Sequence, residues 1–385
     1  MIGVLGGGQL GAMFAMAARR LGYRIAVWDP DADAPALKLA DLPLHAPFDD
    51  APALETFARS VSAATYEWEN VPSSVTGALE RRVPVRPSPF ILKTLQNRLE
   101  QKTFLSSRGL PVAPFRPIRA SGELAAAAEA VGFPCLCKVA TTGYDGKGQW
   151  RLEGPKDLGP VQQEMTKGGA TLWVLEQFLT FDKELSVLVV RGADGERRIY
   201  PTVDNLHEAG ILKVTKVPAQ IAADIAERAA ALAAAVVDAL DGVGLLCIEL
   251  FLMPDGRLFI NEVAPRPHNS GHYTLDACSI SQFEQQVRAV CGLPLGEVRL
   301  LCPAVMVNLI GEDFSRVSAG AGLQTLLKMP GAKLHVYGKK SVRPGRKMGH
   351  VTFLAANAEA AWQVAMRLRE TLATPDRAAL PAHAR

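Results

Sequence analysis

The glycine-rich start of the chain is the feature that most limits how it can fold. Residues 1–5 are apolar, residues 6–8 are all glycine, and residues 9–21 carry apolar side chains at helical spacing. A further apolar stretch then ends at Asp29 and Pro30. A strand, a glycine turn, a helix and a second strand in this order predict the opening of a parallel α/β sheet.

Three glycines of this start also match a dinucleotide-binding pattern. Gly6, Gly8 and Gly11 fit G-x-G-x-x-G between a strand and a helix, and Asp29 stands where such enzymes hold ribose. Taken alone, the pattern indicates an NAD-dependent dehydrogenase. It is weak evidence, because any sheet that packs a helix closely on a strand selects the same glycines, and the rest of the chain argues against a dinucleotide.

Composition limits the remaining function classes. The 385 residues contain 42 Lys and Arg against 39 Asp and Glu, a net charge of +3 that is too small for a general nucleic-acid or membrane-surface binder. None of the six cysteines forms a C-x-x-C pair, so we expect reduced thiols and no structural zinc site. Apolar stretches are too short to span a membrane and the start does not resemble a signal peptide, so we expect a cytoplasmic location.

Proline-rich stretches and changes of composition divide the chain into segments. Residues 83–89 indicate a first boundary, residues 118–300 alternate alanine-rich helical runs with apolar strands, and a third segment follows. The runs at 220–240 and 359–372 each predict a long helix. With one domain per roughly 100–200 residues, the length allows two or three domains.

A second glycine-rich segment follows a predicted strand that contains Lys138. Gly143, Gly146 and Gly148 surround Lys147, and this composition predicts a loop whose backbone N–H groups can close on phosphate. The spacing is not that of a Walker loop, because Gly148 replaces the required Ser or Thr. A plain hairpin turn is the alternative.

Two glutamates interrupt an apolar hairpin, LLCIELFLMPDGRLFINEVAPR, whose turn is predicted at residues 254–256. Counting back from the turn places Glu249 opposite Glu262 to within one residue. Two carboxylates about 5 Å apart across a ladder repel each other, so they require a compensating cation. Mg²⁺ is favoured, because it takes one or two protein carboxylates together with nucleotide phosphates, and basic side chains from elsewhere are the alternative.

Five polar side chains crowd the loop directly after this hairpin. They are Arg266, His268, Asn269, Ser270 and His272. Polar side chains beside a predicted metal site are typical of substrate contacts. Two histidines without a nearby cysteine or third histidine do not favour zinc.

A basic cluster lies between two predicted strands near the end of the chain. Its members are Lys339, Lys340, Arg343, Arg346, Lys347 and His350. Because the net charge of the whole chain is small, a phosphate clamp is favoured over a nucleic-acid arm or a solvated face.

Five segments follow one another along almost the whole chain: GGGQLG, GYDGKGQ, VLEQF, NEVAPRPHNSGHYT and RPGRKMGH. In residues and order they resemble the ATP-grasp superfamily and, within it, the N5-carboxyaminoimidazole ribonucleotide synthetase family of de novo purine synthesis. The resemblance implies a mixed α/β and α+β fold with three parts. These are a Rossmann-like pre-ATP-grasp domain at 1–95, an ATP-grasp domain at 96–300 with a lid subdomain at 118–180, and a small C-terminal domain at 301–385.

The resemblance also implies roles for individual residues. ATP would be bound by Arg98, Lys138, Gly143, Tyr144, Asp145, Gly146, Lys147, Gly148, Gln149, Glu176, Gln177, Phe178, Leu179, Glu184, His207, Asn261 and Glu262. Magnesium would be bound by Glu249 and Glu262. The ribonucleotide would contact Gly8, Gln9, Leu10, Tyr144, Asp145, Lys147, Arg266, His268, Asn269, Ser270, Lys339 and Arg346, with Lys340 as the alternative to Lys339. The implied catalytic set is Lys138, Asp145, Lys147, Arg266 and His268.

Two further glutamates, Glu67 and Glu69 in the segment YEWEN, lie near the same predicted pocket without an assigned role.

The implied reaction is the ATP- and bicarbonate-dependent carboxylation of 5-aminoimidazole ribonucleotide through carboxyphosphate, with two Mg²⁺ ions and release of ADP and phosphate. A closing loop would exclude water from the labile intermediate. Asp145 and His268 are both candidates for moving the bicarbonate or amine proton. The alternatives are another ATP-grasp ligase, such as a formate-dependent glycinamide ribonucleotide transformylase, and a non-catalytic nucleotide-binding protein.

The expected partners follow from the same resemblance. They are small-molecule substrates, a second copy of the chain in a homodimer, and a separate mutase that receives the product. We expect no nucleic-acid and no membrane partner.

Overall fold

Three β-sheets organise residues 1–141, 148–167 and 172–373, the parts of the chain that the computed structural model describes. The first sheet and its helices comprise β1 (Ile2–Leu5), α1 (Gln9–Arg20), β2 (Ile25–Asp29), β3 (Leu42–His45), α2 (Ala51–Ser60), β4 (Ala63–Tyr66) and α3 (Ser73–Glu80). Its strand order is β3-β2-β1-β4 and the pairs are parallel, which confirms the sheet predicted from the glycine-rich start.

Two helices, α4 (Pro89–Gln96) and α5 (Arg98–Ser107), connect the first sheet to a small antiparallel sheet. The small sheet and its helices comprise β5 (Phe115–Ile118), α6 (Leu124–Val131), β6 (Cys135–Val139), β7 (Gln149–Leu152), α7 (Leu158–Lys167) and β8 (Trp173–Gln177). Its strand order is β5-β8-β6-β7. The apolar faces of α6 and α7 pack on this sheet around Trp173.

The third sheet has nine strands in the described part of the chain. Its first half comprises β9 (Lys183–Arg191), β10 (Arg197–Ile199), β11 (Val203–Glu208), β12 (Ile211–Val217), α8 (Ala223–Ala239), β13 (Gly244–Leu252), β14 (Leu258–Ala264), α9 (Thr274–Ala277) and α10 (Gln282–Cys291). The helix predicted at 220–240 is confirmed as α8. Ala229, Ala233, Val236 and Val237 of this helix are buried on the side that contacts β9 and β13.

The second half of the large sheet comes from the C-terminal segment. It comprises β15 (Ala304–Ile310), α11 (Glu312–Val317), α12 (Gly320–Lys328), β16 (Ala332–Val336), β17 (Lys347–Leu354) and α13 (Ala358–Ala373). The order β14-β13-β9-β11-β12-β15-β17-β16 shows that β15 pairs with β12, so the C-terminal strands continue the large sheet. The domain boundaries at residues 95 and 300 stay predictions. The large sheet contains strands from both sides of the boundary at 300.

In the described ranges, no helix has both the length and the apolar character that a bilayer crossing requires.

Candidate active site

The two hairpin glutamates face each other as predicted. Glu249 on β13 is the register partner of Glu262 on β14, and the ladder shifts by a bulge directly after Glu249. Among the described residues there is no group of three His, Cys, Asp or Glu side chains that could hold a metal ion. Two carboxylates on their own fit Mg²⁺ bound together with nucleotide phosphates, because that ion takes few protein ligands.

Each glutamate of this acidic pair has one basic partner. His268 Nε2 lies 3.1 Å from Glu249 Oε1, and Arg98 Nη1 lies 3.1 Å from Glu262 Oε2. Burial raises the pKa of Glu249, but the hydrogen bond from His268 and nearby positive charges have a larger, opposite effect. The resulting pKa is about 2, below the usual value of 4.5. Glu249 is therefore ionised at neutral pH and can act as a cation ligand. The sequence left basic side chains as the alternative to magnesium for balancing these two carboxylates. Such side chains are present: His268 at Glu249 and Arg98 at Glu262.

A buried cluster of two lysines and one glutamate lies beside the acidic pair. Nζ of Lys138 on β6 and Nζ of Lys102 on α5 lie 3.1 and 3.2 Å from the same oxygen, Oε2 of Glu176 on β8. Burial raises the pKa of Glu176, but the two lysines lower it to about 2. Burial also lowers the pKa of Lys102. The cluster holds Lys138 at the end of its strand, where its charge can face a phosphate.

Sequence reasoning missed Lys102. It lies four residues after Arg98, one turn further along α5, and no motif marks it. The signal that could have found it is this helical spacing, which places both cations on one face of α5.

A cleft opens between the small sheet and the large sheet. Its lining includes the predicted nucleotide-binding strand end and one neighbour of the acidic pair: Lys138, Glu176, Gln177, Phe178, Leu179 and Asn261. Phe181 and Phe251, which also line it, stack with ring centroids 4.4 Å apart. One oxygen of Glu176, Oε1, is buried and has no hydrogen-bond partner among the residues that the structure describes. Apolar walls with a few polar atoms are typical of a site for a flat base.

Glu184 and His207 come together on neighbouring strands of the large sheet. Glu184 lies on β9 and His207 on β11, and His207 Nδ1 contacts Glu184 Oε2. Both side chains remain about a quarter exposed or less. They lie near the strand ends, and the family resemblance implies that both contact ATP.

The first glycine turn is occupied by a carboxylate of the protein itself. The backbone N–H groups of Gly8 and Gly11 donate to the two oxygens of Glu67, and the second of these contacts measures 2.6 Å. A Cβ at Gly8 would lie 2.5 Å from Glu67 Oε1. In a dinucleotide enzyme these N–H groups would receive the pyrophosphate, so the dehydrogenase interpretation loses its binding site. Burial raises the pKa of Glu67.

The loop after β14 is held from several sides. Arg266 Nη2 lies 2.6 Å from Oε1 of Glu69, the second glutamate without an assigned role. Asn269 exchanges two side-chain hydrogen bonds with Asn308 on β15. Ser270 is fully buried. The loop is thus tied to the first sheet, to the C-terminal segment and to the acidic pair.

The basic cluster lies largely in the connection between β16 and β17. Lys339 Nζ donates to the backbone oxygen of Lys347 at 2.8 Å, and Arg346 Nη1 donates to Ser341. Lys340 Nζ lies 3.2 Å from Oδ1 of Asp33 in the N-terminal region, with an exposed side chain. The two lysines that sequence reasoning left as alternatives therefore differ in environment.

The closing loop falls mostly outside the described residues. Gly143, Tyr144, Asp145, Gly146 and Lys147 belong to the range 142–147, of which the structure gives no description. Gln149 begins β7 and pairs with Lys138 on β6.

Family models and relatives match most of the chain. A ribonucleotide synthetase pre-ATP-grasp domain matches residues 1–96, an ATP-grasp domain matches residues 103–283, and a phosphoribosylaminoimidazole carboxylase C-terminal domain matches residues 304–363. N5-carboxyaminoimidazole ribonucleotide synthase of Bacillus subtilis is 41% identical over 92% of this chain and 91% of its own length. The enzyme of that name from Brucella melitensis is 43% identical over 91% of this chain and 95% of its own.

The chain belongs to the N5-carboxyaminoimidazole ribonucleotide synthase family.

Solved structures of this synthase family agree with the described fold. A synthetase solved with ADP superposes with a TM-score of 0.90 at 41% identity and covers 96% of both chains. The Aspergillus clavatus synthase solved with ADP and 5-aminoimidazole ribonucleotide superposes with a TM-score of 0.88 at 32% identity, covering 96% of this chain and 98% of that one. The predicted ATP-grasp fold class and the predicted ATP-dependent ligase are confirmed, and the transformylase alternative is disfavoured.

Proposed function

We propose that the chain carboxylates 5-aminoimidazole ribonucleotide to N5-carboxyaminoimidazole ribonucleotide at the expense of ATP and bicarbonate, releasing ADP and phosphate. Family membership supports this reaction, as do relatives solved with ADP and with the ribonucleotide. The observation that carries the proposal is the acidic pair Glu249 and Glu262, opposed across a ladder beside a cleft that Lys138 lines.

Two Mg²⁺ ions would be held by Glu249 and Glu262. The oxygen-only donor set of this acidic pair suits a hard cation, and the low pKa of Glu249 keeps that ligand ionised. When bound, the metal neutralises charge on the phosphates during phosphoryl transfer. Arg98, which contacts Glu262 at 3.1 Å, and Lys138 would bind the phosphate oxygens from the protein side.

ATP would occupy the cleft with its base against Phe178 and Leu179 and the strand end at Glu176 and Gln177. The unpartnered Oε1 of Glu176 can accept a hydrogen bond there from an exocyclic amine. Glu184 and His207 would hold the ribose side of the nucleotide.

Bicarbonate is a poor electrophile, so its oxygen would first attack the γ-phosphorus, forming carboxyphosphate as ADP leaves. The amine of the ribonucleotide would then attack the carboxyl carbon and release phosphate. Arg266 and Asn269 would bind the substrates, and His268 or Asp145 would take the amine proton. The closing loop with Tyr144 and Lys147 would exclude water from the intermediate.

The ribonucleotide phosphate would bind at the basic cluster, with Lys339 and Arg346 as the primary contacts. Gly8, Gln9 and Leu10 would form the opposite wall. The hydrogen bond from Lys339 Nζ to the backbone oxygen of Lys347 keeps Lys339 within the basic cluster, whereas Lys340 Nζ points to Asp33 outside it, which supports Lys339.

Assembly and location complete the proposal. The enzyme would act as a homodimer in the cytoplasm and pass its product to a separate mutase. All six cysteines are free, which supports a reducing compartment.

ADP release measured with and without the ribonucleotide, in bicarbonate buffer and in bicarbonate-free buffer, tests the reaction. We expect turnover to require both substrates. Turnover that depends on formate and glycinamide ribonucleotide instead would overturn the proposal.

A further inference from the structure

Tyr337 connects the basic cluster to the core of the N-terminal part of the chain. It directly follows β16 and lies two residues before Lys339. Its side chain is 5% exposed and belongs to an apolar cluster built mainly from β1, β2, α1 and α10. Leu10, which the resemblance places in the wall of the ribonucleotide site, is a member of the same cluster. Tyr337 therefore connects the two parts of the chain that would face the ribonucleotide.

The ring of Tyr337 also contacts Lys339. Lys339 Nζ lies over this ring, 5.7 Å from its centroid, and donates to the backbone oxygen of Lys347 at 2.8 Å. An ammonium group within about 6 Å of an aromatic centroid is attracted by the negative face of the ring. The half-buried lysine side chain is thus restrained by two contacts before a ligand binds. A restrained side chain loses less conformational entropy on binding than a free one.

A stack of three histidines fixes the position of the tyrosine. Tyr337 Oη lies 2.9 Å from His350 Nδ1. The ring of His350 stacks with the rings of His272 and His335, with centroids 4.7 and 4.5 Å apart. His335 Nε2 in turn lies 2.7 Å from Oδ2 of Asp276 on α9. Because His272 and His350 are fully buried, the tyrosine ring cannot turn without displacing packed neighbours.

We propose that Tyr337 is a positioning residue that holds the Lys339 ammonium in place for the phosphate of the ribonucleotide. The inference rests on the proposed function, because that function places this phosphate at Lys339. The phosphate does not react, so its contacts contribute equally to substrate and transition state. A loss of such contacts raises KM for the ribonucleotide and leaves kcat largely unchanged.

Removal of the ring and removal of the hydroxyl alone have different expected effects. Tyr337→Leu keeps an apolar side chain in the core but takes the ring face from Lys339, so KM for the ribonucleotide should rise by about 3- to 10-fold. Tyr337→Phe keeps the ring, so this KM should stay within about twofold of the wild type. KM for ATP should stay within about twofold in both variants, because the proposed ATP site is the cleft that Lys138 lines. Tyr337→Met, with a flexible side chain that fills irregular space, replaces Tyr337→Leu if the latter does not fold.

Two comparisons separate this role from a purely structural one. In a Lys339→Ala background, Tyr337→Leu should raise KM for the ribonucleotide by less than about twofold, because the ammonium that the ring holds is absent. Tyr23→Leu is the matched control, since Tyr23 packs against the same apolar cluster but follows the C-terminal end of α1, whereas Leu10 lies at the start of this helix. The control should lower the melting temperature without raising KM for the ribonucleotide.

Proton NMR of the full-length protein with carbon-13-labelled lysine detects the contact without turnover. The Hε protons of Lys339 are identified by the loss of their signal in Lys339→Ala. The ring current of residue 337 should shift this signal upfield in the wild type and in Tyr337→Phe, but not in Tyr337→Leu. A signal at the same position in the wild type and in Tyr337→Leu overturns the proposal.

The kinetic outcomes distinguish this proposal from the proposed function. A KM for the ribonucleotide within about twofold of the wild type in Tyr337→Leu overturns the positioning role alone, as does an equal rise in Tyr337→Phe. Equal effects of Tyr337→Leu with and without Lys339 also overturn it, since the ring would then act through another group. ADP release that does not require the ribonucleotide instead refutes the proposed function, and the positioning role for this substrate fails with it even where the ring-current shift is present.

Discussion

Replacing Glu176 by glutamine removes one charge from a buried cluster without changing its shape. The side chain of Glu176 is 5% exposed, and the Nζ atoms of Lys102 and Lys138 lie 3.2 and 3.1 Å from its Oε2. Glu176→Gln would leave two buried ammonium groups facing a neutral amide. Since an unpaired buried charge costs far more than an unpaired surface charge, we expect a large effect on stability.

The magnitude follows from the pKa of Glu176. The lysines outweigh the effect of burial and lower this pKa from 4.5 to about 2, a difference of 4.5 − 2, or about 2.5 pKa units. At about 1.4 kcal/mol per unit, the carboxylate contributes about 3 kcal/mol to folding at neutral pH. Removing one partner of a buried pair costs about 3–5 kcal/mol, which is consistent. Because the folded pKa is depressed, this contribution is complete above pH 4.5 and is lost as the pH falls towards 2.

Urea unfolding at pH 7 measures the loss, with Glu129→Gln on the exposed surface of α6 as the matched control. We expect Glu176→Gln to lower the free energy of unfolding by about 3 kcal/mol and the control to change it by less than about 0.5 kcal/mol. Adding Lys102→Met to Glu176→Gln should restore part of the loss, because one uncompensated charge is gone. Equal stability of Glu176→Gln and the control would refute the assignment of a buried charge cluster.

Three further outcomes follow from the site and the fold. Glu262→Gln should abolish ADP release while circular dichroism and the melting temperature stay near wild type, and retained activity would contradict its role as a magnesium ligand. Gly11→Ala should lower stability by about 1–3 kcal/mol in thermal unfolding, because the new Cβ would lie 2.8 Å from the backbone oxygen of Gly6. Gly77→Ala in α3 is the control, and it should be neutral or stabilising because the space around its Cβ is open. Lys339→Ala should raise KM for the ribonucleotide at least tenfold, Lys340→Ala less than threefold, and the reverse order would exchange their assignments.

The parts of the fold that local pattern decides could be predicted from the sequence. Helix α1 ends at Arg20, within one residue of the predicted end at residue 21. Gly8 before the helix and Gly22 after it limit its length. The turn at Asp255 and Gly256 sets the pairing of Leu252 with Leu258, and this register places Glu249 within one residue of Glu262. The bulge directly after Glu249 supplies the remaining residue, and no turn signal predicts it.

Contacts between distant segments could not be predicted in this way. Glu67 binds the turn at Gly8 across 59 residues of chain, and no local pattern links a glutamate to a glycine turn. Lys102 has the neighbours of an ordinary surface helix in sequence, and its burial depends on where β6 and β8 place Lys138 and Glu176. Pairing of this kind is set by packing of whole elements rather than by propensity.

The continuity of the large sheet decides which parts of the site can move independently. Asn308 on β15 exchanges hydrogen bonds with Asn269 and also donates to the backbone oxygen of Leu212 on β12 at 2.9 Å, so the C-terminal segment holds the loop after β14 directly. Displacing that segment would break the ladder between β12 and β15 as well as the amide pair. The basic cluster and the acidic pair are therefore connected through one hydrogen-bonded sheet. In the described chain the strands of the small sheet pair only among themselves, so they lie outside this connection, and the lid subdomain at 118–180 stays a prediction.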